Sequence, residues 1–282
     1  MTAEEKRIRM KELLLSDECV PLVGTHDVIS ARVVEEAGFQ AAFVGSYTTA
    51  ASLFGFPDVV NVSLTEMVFH AKNIANSIDI PLICDGENGF THAANIWRTI
   101  KEFEEAGVAG IHIEDHEFGK HTNLPPVLLS PEQMCGKIKA ACDARKDKNF
   151  LILARTDAAW ATKDMDEVVR RANMYLEAGA DAAFLATGGN PITKEVRDRI
   201  NGPVVKTVSR MSLAEETACG FNLSVYWPMT LYASLIACQE ACAKLKETND
   251  YYQLGKYVFD EPAFNKYVRF DEFKERVRKY LY

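Results

Sequence analysis

A short phrase of residues recurs along this chain and limits the folds that it can adopt. It reads Glu36-Ala37-Gly38-Phe39, Glu105-Ala106-Gly107-Val108 and Glu177-Ala178-Gly179-Ala180, with a looser copy at Thr217-Ala218-Cys219-Gly220-Phe221. Each copy follows a segment with helical periodicity and precedes a short apolar run. A glycine directly after the last helical residue supplies the left-handed cap that ends a helix, and the apolar run is typical of a buried strand. The phrase therefore marks the joint between a helix and the next strand of a repeating unit.

Eight apolar runs have the length and composition of strands. Four follow a copy of the phrase, and four more precede a helical pattern of their own. The runs are residues 21–23, 41–45, 81–84, 110–113, 151–154, 182–185, 203–205 and 223–227. Apolar strands that alternate with amphipathic helices form a parallel sheet that is covered on its faces. Eight such units predict an α/β fold, a closed (β/α)8 TIM barrel, with a doubly wound open sheet as the alternative.

The ends of the chain differ from the repeating part. No change of composition and no linker rich in glycine, serine or proline divides the chain, so one barrel domain over residues 1–282 is predicted. Residues 1–20 are expected to form an N-terminal helix, residues 21–247 the barrel and residues 248–282 a C-terminal helical extension. The extension is dense in tyrosine, phenylalanine and charged residues, which favours packing on the barrel or on a second subunit.

Charge and hydropathy exclude several classes of function. With 40 acidic and 32 basic residues the net charge is −8, which would repel a polyanion, so nucleic acid is not an expected partner. No apolar run approaches the ~18 residues of a membrane span, and acids stand where a secretory signal has a basic end and an apolar stretch. A cytoplasmic protein is therefore expected. The seven cysteines form no CxxC pair, which predicts neither a disulfide framework nor a zinc site.

Acidic side chains cluster just past two neighbouring strands, where barrel enzymes place their active sites. Asp85 and Glu87 follow the third strand two residues apart, so strand alternation would point both the same way, and Glu114 ends the fourth. Carboxylate oxygens suit Mg²⁺ better than zinc. Capping of the next helix is the structural alternative for such acids. Asp58 is either a turn residue or an outer partner of a metal-bound water.

Three further features lie at the same ends of strands. Arg155 leaves the fifth strand, and a buried guanidinium needs an anion, either an internal acid or a substrate carboxylate or phosphonate. The small-residue turn 45–50 could direct backbone amides toward a developing oxyanion. Residues 115–126 are polar and show no period, which is typical of an active-site lid and equally of a surface loop. His112 alternates with Glu114 and could face the barrel interior, although a hydrogen-bonded core histidine is the preferred interpretation.

In combination, these segments resemble the isocitrate lyase/phosphoenolpyruvate mutase superfamily. The resemblance runs from about residue 21 to about residue 243 and rests on Gly45-Ser46, Gly55-Phe56-Pro57-Asp58, Asp85-Gly86-Glu87-Asn88-Gly89-Phe90, residues 107–115, Lys120 and Ala154-Arg155-Thr156-Asp157-Ala158. It implies a (β/α)8 barrel enzyme that needs Mg²⁺, with Mn²⁺ as the alternative ion. It also implies a homo-oligomer, a tetramer or a dimer, in which the eighth helix is exchanged between subunits.

The resemblance further implies a role for individual residues. Asp85 would bind the metal, and Glu87, Glu114 and Asp58 would act mainly through its water ligands. The residues expected to bind substrate are Ser46, Tyr47, Thr48, Thr122, Asn123 and Arg155. The residues expected to be catalytic are Lys120, His121, Asn123 and Arg155.

Departures from the family pattern leave more than one activity open. Residues 116–123 lack the Lys-Lys/Arg-Cys-Gly-His segment of the carbon-carbon lyases and are closer to the mutase loop, although His116 replaces its first Lys. We therefore expect an enzyme that breaks or rearranges the C–P or C–C bond of a small 2-oxo acid through an enolate, as phosphoenolpyruvate mutase, phosphonopyruvate hydrolase and oxaloacetate decarboxylase do. The alternative is a carbon-carbon lyase of a 2-hydroxy-dicarboxylate, of the methylisocitrate or dimethylmalate lyase type, in which His121 replaces the missing Cys. A non-catalytic barrel that serves as a binding module is a third interpretation.

Overall fold

Eight parallel strands close into a barrel in this chain, in the spatial order β1-β10-β9-β8-β7-β4-β3-β2. The computed structural model describes residues 1–59, 62–118, 122, 124–188 and 191–281. Its strands are β1 (Val20–Thr25), β2 (Ala42–Val44), β3 (Leu82–Asp85), β4 (Gly110–Glu114), β5 (His116–Phe118), β6 (Val127–Leu128), β7 (Leu151–Thr156), β8 (Ala182–Leu185), β9 (Val204–Thr207) and β10 (Leu223–Tyr226). Each barrel strand agrees with one of the eight apolar runs to within two residues at either end. The predicted TIM barrel is confirmed, and the open sheet is excluded.

Helices cover the barrel within the first of two units, which comprises residues 1–228. They are α1 (Ala3–Leu14), α2 (Val28–Glu36), α3 (Ser46–Phe54), α4 (Leu64–Ala75), α5 (Ile96–Ala106), α6 (Pro131–Ala144), α7 (Ala158–Ala161), α8 (Met165–Glu177), α9 (Lys194–Asp198) and α10 (Leu213–Ala218), with a 3₁₀ helix at Ala93–Asn95. None of the helices in the described part of the chain has the length and hydropathy that a membrane span requires.

Glycines end four of these helices as the recurring phrase predicts. Gly38, Gly107, Gly179 and Gly220 have φ angles of 86°, 89°, 108° and 83°. These values lie in the left-handed region, which residues with a Cβ atom enter only at a cost. Each glycine turns the chain back toward the next barrel strand, so the repeated phrase sets the spacing of the repeating units.

Apolar side chains fill two layers, one inside the barrel and one between the strands and the helices. Met10 and Leu14 of α1 pack with Leu22 and Leu151 inside the barrel, so α1 closes the end at which the strands begin. The alternation of β4 sends Ile111 and Ile113 to the outer layer. His112 and Glu114 consequently face the inside of the barrel.

The second unit comprises residues 229–282. It contains α11 (Met229–Thr248), α12 (Glu261–Tyr267), α13 (Phe270–Tyr280) and a 3₁₀ helix at Tyr251–Tyr257. Helix α11 buries none of its residues, and Leu235 and Ile236 are 54% and 55% exposed. The helical character predicted for residues 248–282 is confirmed over the residues that the structure describes. The limits of a single barrel domain and the exchange of the eighth helix stay predictions.

The polar segment 115–126 differs from its expectation in one respect. His116–Phe118 and Val127–Leu128 form a short antiparallel ladder, in which His116 is paired with Leu128. A pairing of two or three residues leaves no detectable period in the sequence, because the partner is brought in from nine or twelve positions away. The two ends of the segment are therefore joined at its base.

Candidate active site and metal centre

A cavity of about 530 Å³ opens at the C-terminal end of the barrel strands, here called the mouth. This volume lies within the range of small-molecule sites in proteins. Its lining combines carboxylates, one guanidinium and one imidazole with aromatic and small side chains. The lining residues are Phe43, Gly45, Tyr47, Asp58, Asp85, His112, Arg155, Asp157, Trp160, Phe184, Ala186, Thr187, Gly188, Thr207, Val208, Val225 and Trp227. Four residues predicted from the sequence, Tyr47, Asp58, Asp85 and Arg155, are among them.

Asp85 ends β3 and is held by the start of helix α3. The backbone N–H of Ser46 donates to Asp85 Oδ2 at 3.1 Å, and the Ser46 hydroxyl lies 2.9 Å from the same oxygen. That hydroxyl also lies 3.2 Å from Asp58 Oδ1. Because Ser46 is the first residue of α3, the positive end of the helix dipole faces the Asp85 carboxylate. The structure thus brings together three residues that the sequence predicted separately.

Glu87 is buried beside Asp85, but by a different geometry from the one expected. Its N–H donates to Asp85 Oδ1 at 2.8 Å, and Glu87 is only 1% exposed. Strand β3 ends at Asp85, and Glu87 has a φ angle of 47° in the left-handed region. The expectation that strand alternation aligns Glu87 with Asp85 is therefore wrong, because the strand does not extend to Glu87.

His112 contributes to the site in a way that the sequence did not reveal. Its ring stacks on Phe43 at 5.8 Å and meets Phe184 edge-on at 4.9 Å between ring centroids. Its Nε2 atom lies 3.4 Å from Asp85 Oδ1. Asp85, His112 and Glu114 together offer ligand atoms that all lie within 4.8 Å of one another. His112 is buried in the barrel interior, as its alternation with Glu114 allowed, and its interpretation as a hydrogen-bonded core histidine stays a prediction.

Arg155 is neutralised by internal acids while its side chain lines the cavity. Its Nε and Nη2 donate to the two Asp157 carboxylate oxygens at 2.8 and 3.3 Å, and Nη1 lies 3.2 Å from Glu114 Oε2. Burial opposes the charge on Arg155, but the charges of Asp157 and Glu114 outweigh burial and raise its pKa well above the usual value. Of the two alternatives left open for its anion, the structure shows the internal one. A substrate carboxylate would have to take the place of Asp157 or Glu114.

A second set of ligand-type side chains lies on the other side of Glu114. Glu114, His116 and Asp157 also place ligand atoms within 4.8 Å of one another, and His116 Nδ1 lies 2.9 Å from Asp157 Oδ2. The guanidinium of Arg155 already lies between Glu114 and Asp157 and supplies positive charge there. The first set, around Asp85, is therefore the better candidate for a metal centre.

Buried charge at the mouth supports that choice. Among the described residues, buried carboxylates outnumber buried cations near this end of the barrel. The carboxylates are those of Asp58, Asp85, Glu87, Glu114, Asp115 and Asp157, and the cations are Lys137 and Arg171, with the half-buried Arg155 beside them. Lys206 and Glu216 are also buried, as an ion pair whose charges cancel. An excess of buried negative charge is unfavourable unless protons or a cation compensate it. Oxygen-rich ligands with this excess fit a divalent cation such as Mg²⁺.

The remaining predicted residues fall into three groups. The Tyr47 ring lines the cavity and meets Trp227 edge-on at 4.6 Å. The Thr48 hydroxyl donates to the carbonyls of Thr25 and Gly45 at 3.1 and 3.0 Å, so it holds the backbone and is not part of the lining. Thr122 is exposed and its hydroxyl accepts from the Leu124 N–H at 3.2 Å. Lys120, His121 and Asn123 lie outside the described residues, and their catalytic roles stay predictions.

Sequence reasoning assigned no role to Asp157 or Trp160. Asp157 is the bidentate partner of Arg155, and the Trp160 ring lies between the cavity and His116, 5.2 Å from its ring. The spacing of two residues between Arg155 and Asp157 was the available signal for their pairing. Trp160 stands in the four-residue helix α7 and carries no comparable signal.

Comparison with known proteins adds independent information. The family model described as phosphoenolpyruvate phosphomutase matches residues 10–246. A 2,3-dimethylmalate lyase from Eubacterium barkeri is 33% identical over 96% of this chain and 97% of its own. A chloroplastic carboxyvinyl-carboxyphosphonate phosphorylmutase from Arabidopsis thaliana is 34% identical over 96% of this chain and 84% of its own. The crystal structure of a phosphonopyruvate hydrolase complex with oxalate and Mg²⁺ has a TM-score of 0.88 and 25% identity, and the match covers 100% of both chains.

Proposed function

Because this chain belongs to the phosphoenolpyruvate mutase/isocitrate lyase superfamily of enzymes, we propose that its mouth breaks or rearranges the C–P or C–C bond of a small 2-oxo acid, with Mg²⁺ as the ion. One observation carries the proposal. Arg155, which can bind a carboxylate, lines the same cavity as Asp85 and His112, and Glu114 lies beside both groups. A ligand of a few carbon atoms can therefore reach a guanidinium and a divalent cation at once.

The chain's own residues position the acid. Arg155 binds its carboxylate with two parallel N–H groups, and Asp157 gives up the guanidinium in exchange. When bound, the divalent cation stabilises the negative charge that develops on the oxo group as the neighbouring bond breaks. Asp85 would hold the ion, and Asp58, Glu87 and Glu114 would act mainly through its water ligands. The amides of Ser46 and Tyr47, at the start of α3, add a positive dipole on the same side.

Exclusion of water decides what becomes of the enolate. The rings of Tyr47, Trp160, Phe184 and Trp227 form much of the cavity wall and limit the access of water. Lys120, His121 and Asn123 belong to the segment whose base β5 and β6 join, and we propose that they handle the proton or the departing group. Thr122 stands in the same segment as the fourth proposed contact.

A second candidate is a carbon-carbon lyase that acts on a 2-hydroxy-dicarboxylate. Arg155 carries the one permanent positive charge among the described residues of the lining. The part of the lining that follows β8 and β9 is uncharged, with Thr187, Thr207 and Val208, and Trp160 lies beside it. Such a wall suits alkyl substituents better than a phosphonate dianion. The full-length similarity to a 2,3-dimethylmalate lyase supports this candidate as well.

One assay separates the candidates by the product that accompanies pyruvate. The purified protein is incubated with Mg²⁺ and, in turn, phosphonopyruvate, oxaloacetate and 2,3-dimethylmalate. Hydrolysis of the first releases phosphate, decarboxylation of the second releases CO₂, and retro-aldol cleavage of the third releases propionate. Phosphorus NMR detects a mutase, because phosphoenolpyruvate appears without pyruvate. If none of these acids reacts and Mg²⁺ with oxalate does not raise the melting temperature, the non-catalytic barrel replaces both proposals.

The assembly we propose is a homo-oligomer, a tetramer or a dimer, in which α11 packs against another subunit. The support is that α11 buries none of its residues and exposes Leu235 and Ile236. Light scattering of the purified chain measures its mass directly. A monomer at micromolar concentration would contradict the proposal. The cytoplasmic location stays a prediction from the sequence.

A further inference from the structure

A buried polar cluster behind the cavity has no part in the function proposed so far. Asp115 follows β4 and is fully buried. Its Oδ2 accepts from the Tyr175 hydroxyl at 2.8 Å and from Arg171 Nη1 at 3.0 Å. Arg171 Nη1 also lies 3.1 Å from the Tyr175 hydroxyl, so the three groups form a closed set. Arg171 and Tyr175 lie one helical turn apart on α8.

The Asp115 end of this cluster holds the strand end that carries Arg155. The Asp115 N–H donates to the Arg155 carbonyl at 3.1 Å, and Asp115 Oδ1 accepts from the Asp157 N–H at 3.0 Å. The two contacts fix the peptide groups on both sides of Thr156. Asp157 is in turn the carboxylate that orients the Arg155 guanidinium. The direction of the guanidinium thus depends on Asp115.

The same cluster holds the point where the chain returns from the segment between β5 and β6. The Leu129 N–H donates to the Asp115 carbonyl at 2.8 Å, and Arg171 Nη1 donates to the Leu129 carbonyl at 2.8 Å. Leu129 directly follows β6. One arginine therefore joins the base of that segment to the strand end behind Arg155.

The protonation states fit this arrangement. Burial raises the pKa of Tyr175, and the nearby Asp115 charge raises it further, so its hydroxyl keeps the proton that it donates. Burial opposes the charge of Arg171, but contacts with Tyr175, Glu167 and Asp115 outweigh burial and raise its pKa. Tyr175 and Arg171 therefore both keep the protons that they donate at neutral pH.

We propose that Arg171 and Tyr175 are positioning residues, which act through Asp115 to hold the Arg155–Asp157 pair in the geometry that receives a substrate carboxylate. The inference rests on the proposed function, because that function assigns a substrate carboxylate to Arg155. Neither residue lines the cavity, so their effect on binding passes through Asp115 and not through contact with the acid.

A matched control exists at the other end of the same strand. Asp181 Oδ2 accepts from the Ile152 N–H at 2.9 Å and from Arg145 Nη1 at 2.5 Å. This pair repeats the chemistry of Asp115 and Arg171, with a carboxylate that bridges a backbone amide and an arginine. It differs in lying at the start of β7, at the other end of the strand from Arg155. A merely structural role for Arg171 would make substitutions of the two arginines equivalent.

The test compares Arg171→Lys and Tyr175→Phe with Arg145→Lys. The binding probe is oxalate with Mg²⁺, followed by titration calorimetry, and turnover is followed with whichever acid the wild type cleaves. We expect Arg171→Lys to weaken oxalate binding and raise KM about tenfold with a smaller change in kcat, because a lysine keeps the charge and loses the fork of donors. Tyr175→Phe, which removes one hydroxyl and keeps the ring, should give about a threefold effect. Arg145→Lys should leave both quantities unchanged, although it lowers the melting temperature.

Each outcome decides the question. If Arg171→Lys binds oxalate as the wild type does, or if Arg145→Lys weakens binding equally, the positioning role is excluded. If Arg171→Lys does not fold, unchanged oxalate binding by Tyr175→Phe excludes it instead. If the wild type neither binds oxalate with Mg²⁺ nor cleaves any of the acids, it is the proposed function that fails, and this inference fails with it.

Discussion

The two ends of the barrel accommodate buried charge in different ways. At the end closed by α1, Lys6 Nζ donates to the carbonyls of Ala75 and Ile78 at 2.8 and 2.5 Å. Arg7 donates to the carbonyl of Val108 at 3.3 Å and pairs with Asp147 at 3.3 Å. At the mouth, buried carboxylates outnumber buried cations among the described residues. The buried cations of the first end have partners within the chain, whereas the excess of carboxylates at the mouth is what the proposed divalent cation would compensate.

Substitution of Asp85 should give the largest effect and would test the mouth directly. We expect Asp85→Asn to lower turnover by at least about 10³-fold, the scale of losing the main electrostatic stabilisation of a reaction. The metal-free protein should keep its stability or gain some, because one of several clustered carboxylates becomes neutral. Steady-state kinetics and thermal unfolding with and without Mg²⁺ measure both effects. An unfolded variant would show that Asp85 is structural, as the cations at the other end are.

Replacement of Arg155 separates the substrate anchor from the metal centre. Arg155→Lys should lower kcat/KM by about 10²-fold, because a lysine cannot hold a carboxylate through two parallel hydrogen bonds. The rise in melting temperature with Mg²⁺ alone should persist. Arg170→Lys is the matched control, since Arg170 pairs with Glu167 on the surface of α8 and should have no effect. Loss of the Mg²⁺ effect in Arg155→Lys would contradict the division of roles.

Substitutions at the end of the barrel closed by α1 should lower stability and leave activity unchanged. Arg7→Met removes a buried guanidinium and leaves its carbonyl and carboxylate partners without it, which should cost about 3 kcal/mol of unfolding free energy. Urea unfolding measures this loss, and kcat/KM of the folded protein should remain as in the wild type. Arg9→Met, at an exposed ion pair of the same helix, should cost less than about 0.5 kcal/mol. A fall in kcat/KM for Arg7→Met would remove the contrast between the ends.

The sequence predicts the frame of the molecule well because local signals specify it. The helix-ending glycines, such as Gly107 and Gly179, need a left-handed backbone wherever they lie in space, and their spacing determines where β4 and β8 begin. The same spacing predicts which residues stand at the ends of the strands. Asp85 and Arg155 could therefore be placed at the mouth before any contact between them was known.

Pairings between distant residues are the part that the sequence does not specify. Asp157 pairs with His116, 41 positions away, and its N–H with the side chain of Asp115, 42 positions away. Neither pairing follows from a period, because it depends on how β4 and β7 lie side by side. Glu87 shows that a prediction from local sequence can also fail. The direction of its side chain was predicted from strand alternation, but β3 ends at Asp85 and the backbone of Glu87 is left-handed.

The internal pairing of Arg155 has a consequence for the end of each catalytic cycle. A guanidinium without an internal carboxylate partner would bind a small carboxylic acid tightly, and release of the product would be slow. In this structure Asp157 and Glu114 hold the guanidinium, and in the proposed reaction they would return to it when the acid leaves. These two carboxylates would thus compete with the product for the guanidinium, so that the product is released readily and bound with moderate affinity.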